Sequence, residues 1–250
     1  MEDQSFIQKI EELSLNALPA LQTHLFDGWV LRFADGYTKR ANSINALYFS
    51  KQEVEQKIDI SEQIYEKRNL RTVYKITPQV FPQNLDKSLD ERDYVLEGIT
   101  SVQLLPLEKI ELHSAQNVEV YEYLHDSWLS AFCRLSKIKE NDQSTMKQIL
   151  RNIVPGICYA MVIDDNGNVV ACGRGVLEGE YIGLYDIITD EKYRYKGYGE
   201  KLVLQILQWG KESAAKFAYL QVMISNVPAL NLYSKIGFEE KYSYYYRIKK

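Results

Sequence analysis

The chain has 250 residues, of which 46% are hydrophobic and 26% charged, with 13 Gly and 6 Pro. That is ordinary globular composition, with apolar material for one large core or two modest ones. A net charge of −4 at pH 7 argues against nucleic-acid binding, which needs a concentrated basic face. The opening MEDQSFIQKIEELSLN lacks the basic flank and apolar run of a secretory signal, and no stretch reaches ~18 consecutive apolar residues. Cys133, Cys158 and Cys172 are odd in number and far apart, and only three His are present. This leaves little support for a disulfide framework or a metal site. The expectation is a cytoplasmic protein with reduced thiols, no metal, and no membrane or nucleic-acid partner.

Residues 6–18 carry Phe6, Ile7, Ile10, Leu13 and Ala17 at helical spacing. WVLRFADGYTKRANSINALYFS reads as two strands around the Asp35-Gly36 turn. Val54 to Arg68 fits a helix, RTVYKIT alternates as a strand ahead of Pro78, Leu85 to Glu91 suits a short helix, and DYVLEGITSVQLL returns to strand. A boundary is expected around Pro106 to Asn117.

Beyond it, Glu119 to Leu135 is expected as one helix with Tyr123, Trp128 and Phe132 on an aromatic face, and Gln143 to Ile153 as another. CYAMVID and VVACGRGVL flank Asp165-Asn166-Gly167-Asn168, a strong hairpin pattern. The strand YIGLYDIIT, a helix from about Gly197 to Lys216, the strand AYLQVMI, a short helix from about Val227 to Lys235 and the strand FEEKYSYYYRIK complete the chain. Tyr242, Tyr244 and Tyr246 alternate on one face of that last strand, as β-propensity explains. Antiparallel strands feeding a strand–helix–strand crossover make a mixed α/β sheet flanked by helices.

The chemistry concentrates where YIGLYDIIT ends. Arg194-Tyr195-Lys196-Gly197-Tyr198-Gly199 is a short basic loop with two glycines opening a helix. Free amides of the first helical turn, the positive dipole end and two cations suit a pyrophosphate. It is neither a Walker loop nor G-x-G-x-x-G. The bland alternative is a tight turn whose glycines serve only the backbone.

Downstream stands Asn226-Val227-Pro228-Ala229-Leu230-Asn231-Leu232-Tyr233-Ser234-Lys235-Ile236-Gly237-Phe238. Together the two segments resemble the paired signatures of the GNAT superfamily of N-acetyltransferases: R/Q-x-x-G-x-G/A opening a helix, then N-x-x-A-x-x-L-Y-x-K-x-G-F after the next strand. The resemblance spans about 130 residues. It implies that the amides of Arg194, Tyr195, Lys196, Gly197, Tyr198 and Gly199 cradle the pyrophosphate of acetyl-CoA. Backbone groups of Ile187, Ile188 and Thr189 would meet the pantetheine arm in a gap between splayed strands, and Asn226 and Asn231 match positions that touch CoA.

Tyr233 matches a tyrosine that serves as general acid toward the thiolate, against the alternative of a packing aromatic. Asp186 is the first candidate for the general base that an ammonium acceptor requires; Glu178 and Glu180 are weaker ones. Trp128, Phe132 and RLSKIKENDQ fall where acceptor specificity arises in the superfamily. With no nucleophile triad in view, direct transfer in a ternary complex is favoured over an acyl-enzyme.

The element order of the first half echoes the later portion of a GNAT domain without the glycine loop, and DGWVLRFADGYTKRANSINALYF resembles the N-terminal region of some two-domain bacterial GNAT proteins. Residues 1–110 are expected as a degenerate GNAT-like domain and 118–250 as the catalytic one. The expected activity is acetyl transfer from acetyl-CoA to a primary amine of a small molecule or, as the less favoured acceptor, of a peptide or protein. A longer acyl chain, or a non-catalytic acyl-CoA-binding sensor, are the alternatives, and a homo-oligomer is left open.

Overall fold

The computed structural model describes residues 2–112 and 115–250. In chain order its principal elements are α1 (Glu2–Ala17), β1 (Gln22–Phe26), β2 (Trp29–Phe33), β3 (Ile44–Asn45), α2 (Val54–Glu66), β4 (Val73–Ile76), α3 (Leu85–Glu91) and β5 (Val95–Pro106). Then come β6 (Val118–Tyr121), α4 (Asp126–Leu135), α5 (Glu140–Arg151), β7 (Gly156–Ile163), β8 (Val169–Glu178) and β9 (Tyr181–Thr189). The chain closes with α6 (Tyr198–Glu212), β10 (Phe217–Met223), α7 (Val227–Ile236) and β11 (Glu239–Ile248).

One order of elements occurs twice: β1-β2-β3-α2-β4-α3-β5 and β7-β8-β9-α6-β10-α7-β11. In each, two antiparallel pairings lead into a parallel one, β3 with β4 and β9 with β10. Parallel neighbours need a crossover, supplied by α2 in the first repeat and α6 in the second. This is the mixed α/β fold expected from the sequence, with a second, similarly ordered half at the N-terminal end.

Two compact units are built from interleaved segments. The first comprises Met1–Ser101, Thr145–Asn152 and Tyr242–Lys250, the second Val102–Ser144 and Ile153–Lys241. Within the first unit, β4 pairs antiparallel with the end of β11, from Ile76 opposite Tyr245 to Val73 opposite Ile248. Tyr242, Tyr244 and Tyr246 are buried on one face there, as their alternation predicts. In the second unit the neighbour of β10 is β5, whose residues 102–106 belong to that unit, and Leu107 N–H donates to the Lys216 carbonyl at 2.8 Å. Each unit thus takes its last sheet strand from the other repeat.

The first unit's core gathers Trp29, Leu31, Ile44, Ile58, Tyr65 and Tyr74. Ile10, Leu13 and Ala17 of α1 are buried, and so is Glu11, whose carboxylate meets Lys75 Nζ at 2.5 Å and accepts from the Tyr242 hydroxyl at 2.7 Å. The second unit's core packs Leu202, Val203 and Ile206 of α6 with Ile182 and Leu184 of β9 and Ala218 and Leu220 of β10. Fully burying side chains of this size contributes roughly 1.5–3 kcal/mol each.

The two strands expected around Asp35-Gly36 are β2 and β3, which pair antiparallel with Val30 opposite Asn45 and Leu31 opposite Ile44, and both residues of that dipeptide have positive φ. A second, tighter hairpin is not expected from the sequence: β1 pairs with β2 so that Phe26 faces Trp29, and Asp27 and Gly28 both have positive φ, as a two-residue turn of this kind demands. β1, QTHLF, escaped notice because it is almost wholly exposed and has no apolar alternation. The helix expected over 119–135 is split, because Val118–Tyr121 pairs antiparallel with β7 as β6. α4 then starts after His125, whose ring nitrogen accepts from Ser127 N–H. The boundary expected around Pro106–Asn117 includes His113 and Ser114, which lie outside the described residues.

Candidate active site

β9 and β10 are in parallel register from Tyr181 opposite Phe217 to Leu184 opposite Leu220. The pairing ends there, although β9 runs on to Thr189 and β10 to Met223. The released stretch of β9 stays joined on its other side to β8, with Ala171 opposite Thr189 and Cys172 opposite Ile188. Its edge toward β10 therefore carries backbone groups that no strand pairs. Ile187, Ile188 and Thr189, the residues expected to meet a pantetheine arm, occupy that stretch and are half-buried.

A bulge sits where the strands part. Between Cys172–Ile188 and Arg174–Tyr185 one residue of β8, Gly173, faces two of β9, Asp186 and Ile187, and Asp186 takes φ of 55°. The extra residue bends β9 and re-aims the chain. Two side chains hold the bulge. Arg174, fully buried, donates from Nε to Asp186 Oδ2 at 2.5 Å, and its guanidinium lies 4.8 Å from the centre of the Tyr185 ring. Trp128 of α4 donates from Nε1 to the Gly173 carbonyl at 2.9 Å. Neither role was read from the sequence. The signal for Arg174 is a charge inside the apolar strand VVACGRGVL, flanked by two glycines.

After β9 the chain enters the glycine loop along anchored backbone. Asp190 N–H donates to the Val170 carbonyl, and the Asp190 carboxylate accepts from Lys192 N–H and from Arg134. The Tyr193 hydroxyl donates to Asp164, which also accepts the amides of Asn166 and Asn168 in the β7–β8 turn. These amides hold the Asp164 carboxyl down at about 2, the Asn168 amide foremost.

Arg194, Tyr195, Lys196 and Gly197 are then exposed. Gly197 caps α6 with φ of 82°, a conformation that disfavours any side chain. The first helical bond runs from Lys201 N–H to the Gly197 carbonyl at 3.0 Å, so the amides of Tyr198, Gly199 and Glu200 precede it and have no partner in the helix. A Cβ on Gly199 would lie 3.2 Å from Thr189 Oγ1 and 3.6 Å from Leu232 Cδ2. The end of β9, the start of α6 and α7 therefore converge on this glycine.

Asn226 caps α7, its side chain accepting from Ala229 N–H, and Asn231 is exposed one turn on. Tyr233 points inward: it is 7% exposed, and its ring meets Phe238 edge-on at 5.8 Å. Burial pushes its phenol up to about 12. Glu178 and Glu180 stand at the opposite end of β9, about 30 Å of strand from the loop, where Glu180 is ion-paired with Lys216. Trp128 and Phe132 are buried and stacked on each other at 5.0 Å. Burial pushes the Cys158 thiol up to about 12 and raises Cys172 further. Both are neutral thiols. A groove of about 690 Å³ opens beside the loop, lined by Ser127, Ser130, Arg134, Asn168, Asp190 and Lys192. It takes no lining residue from β10 or α7.

Among the described residues no group of His, Cys, Asp and Glu could hold a metal ion, and no helix is long and apolar enough to cross a membrane. A family model described as "Probable histone acetyltransferase Rv0428c C-terminal" matches residues 4–247. The chain is 28% identical to the uncharacterized N-acetyltransferase YobR of Bacillus subtilis (strain 168), over 98% of this chain and 99% of that one. Its fold is similar to that of a GCN5-related N-acetyltransferase from Kribbella flavida, with a TM-score of 0.74 at 14% identity over 97% and 95% of the two chains. A tandem GNAT protein from the clavulanic acid biosynthesis pathway matches 78% of this chain and 69% of its own, with a TM-score of 0.63 at 11% identity. Fork, bulge, glycine loop and repeated order of elements thus agree with the family match: the chain belongs to the GNAT-type acetyltransferase family that this model describes, in a form with two GNAT-like halves.

Proposed function

We propose that the protein moves an acetyl group from acetyl-CoA to a primary amine of a small molecule, by direct transfer in a ternary complex. The observation that carries the reading is the exposed amide cradle of Arg194–Gly199, set on the N-terminus of α6 at the end of a strand that has parted from its parallel neighbour. Diphosphate charge suits the free amides, Arg194 and Lys196. Nothing lies within 4 Å of where a Gly197 side chain would begin, so the cradle is open. The unpaired edge of Ile187–Thr189 fits an amide-bearing arm, and Asn226 and Asn231 are assigned to contacts with CoA. Bound acetyl-CoA would supply the acyl group as a thioester.

The roles of this chain's side chains follow from their surroundings. Tyr233, kept protonated at neutral pH by burial, serves as hydrogen-bond donor to the departing sulfur. Because an ordinary thiol titrates near ~8.5, complete transfer of the phenol proton is uphill, and donation without transfer is the step assigned. Asp186 is the group assigned to take the acceptor's proton, directly or through a water. Residues 118–250 carry these groups, and residues 1–110 form a degenerate half. Cytoplasmic location and an acceptor that is neither nucleic acid nor membrane are part of the proposal.

A second reading, an acyl-CoA-binding module without turnover, is favoured by the tie of Asp186 to Arg174 and by the burial of Tyr233. Thermal unfolding with acetyl-CoA and with free CoA, on the native chain and on Gly197→Glu, tests the cradle. Stabilisation is expected in the native chain alone. No shift at millimolar acetyl-CoA would remove both readings. Thiol release during a screen of amines then separates enzyme from sensor, since the Tyr233→Phe, Asp186→Asn double variant should bind CoA normally and lose turnover only in the enzyme.

A further inference from the structure

The first repeat has its own strand–loop–helix–strand crossover, β3-α2-β4, at the place that β9-α6-β10 holds in the second. The loop between β3 and α2 carries no glycine, yet its backbone holds an anion. The Asp27 carboxylate, from the β1–β2 turn, accepts Lys51 N–H at 3.0 Å and Gln52 N–H at 2.9 Å through Oδ2, and the Ser50 hydroxyl at 2.9 Å. A cation completes the cradle: Lys57, one turn into α2, has a side chain with no exposure and places Nζ 3.2 Å from Asp27 Oδ2. That ammonium also donates to the Asp27 carbonyl and the Ser50 hydroxyl, both at 2.6 Å, and lies 4.0 Å from the centre of the Trp29 ring.

The contacts of Asp27 span 23 to 25 residues of sequence, so they are made by the tertiary fold and not by a local turn. The corresponding turn of the second repeat, between β7 and β8, also directs an aspartate toward its crossover. There Asp164 stops at Tyr193, ahead of the loop, and the amides at the start of α6 stay open.

We propose that Asp27 is a built-in anion, its carboxylate filling in the first repeat the position that a ligand phosphate takes in the second, so that the full chain binds one acyl-CoA and not two. The stoichiometry rests on the reading of the Arg194–Gly199 loop as the CoA site; the plugged cradle does not. The amide bonds, led by that of Gln52, hold the Asp27 carboxyl well below the usual carboxylate range, as expected of a carboxylate that accepts several hydrogen bonds.

The test uses the full chain carrying Gly197→Glu, which closes the second loop, with and without Asp27→Gly. Inorganic pyrophosphate is the probe, and sodium chloride at matched ionic strength is the control. Asp27→Gly should create a pyrophosphate-dependent rise in unfolding temperature of about 2 °C or more, absent from the parent and abolished by adding Lys57→Met. No rise in the Asp27→Gly chain, or an equal rise in its parent, overturns the proposal. Should Asp27→Gly not fold, carboxyl NMR titration of the native chain decides. Asp27 should stay ionised through the range where ordinary aspartates protonate, and titration near ~3.9 overturns it. Failure of native protein to bind acetyl-CoA would sink the proposed function and leave both of these readouts standing.

Discussion

The two crossovers of this chain, β3-α2-β4 and β9-α6-β10, share strand order, direction and a helix of similar length, yet they differ in what their loops can do. In the second, Gly197 at φ of 82° and the absence of a nearby side chain leave the first-turn amides open to a ligand. In the first, the loop amides of Lys51 and Gln52, just ahead of the cap residue Glu53, are taken by Asp27, which pairs with Lys57. The same topology thus gives one open anion cradle and one closed one. Function resides in a few loop groups laid on a common fold, and losing it takes one well-placed carboxylate.

The largest expected effect tests whether the halves are separable at all. Since β4 takes its antiparallel partner from Tyr245–Ile248, deleting residues 242–250 should unfold the first unit while the N-terminal sequence remains intact. Hydrogen exchange should show the β4 amides losing protection to the level of an unfolded chain. Native protection at Val73–Ile76 after the deletion would contradict the exchanged-strand architecture.

Chemistry should sit on one side of the comparison only. Asp186→Asn should lower kcat by about 10²–10⁴-fold if Asp186 takes the acceptor proton, with loss of the acidic limb of the pH–rate profile. If it only holds the bulge through Arg174, the loss should be smaller and the profile unchanged. Stability, by contrast, should weigh on the first unit. Lys75→Met leaves Glu11 buried without its ion-pair partner, and removing one partner of such a pair costs about 3–5 kcal/mol. Urea midpoints measure this, and acetyl-CoA affinity should not follow.

The smallest effect is alkaline. Burial holds the Tyr233 phenol at about 12 in the folded chain, above ~10 in an unfolded one. Its contribution is therefore complete below pH 10 and is lost as pH rises through 12, to a total of about 2–3 kcal/mol. Tyr233→Phe should lose less stability than native protein between pH 10 and pH 11. Tyr65, Tyr74, Tyr94 and Tyr246 in the first unit and the thiols Cys158 and Cys172 in the second are also raised by burial, so both units should lose stability as pH rises through 10.

What the sequence by itself determined is what depends on neighbours along the chain. Helical spacing marked α2, α3, α6 and α7, the Asn-Gly step marked the β7–β8 turn, and RYKGYG beside the Asn226–Phe238 segment marked the loop and the family. Gly197 is legible because a positive φ asks for glycine whatever surrounds it. Tertiary structure decided what depends on partners far apart in sequence. It paired Arg174 with Asp186, drew Trp128 to the bulge, buried Tyr233, sent β11 to β4, and brought Asp27 to Lys51, Gln52 and Lys57. The physical reason is that a charge in a strand or a turn aspartate looks alike in sequence whether solvated or buried. Only the packing that removes water tells which partner must satisfy it.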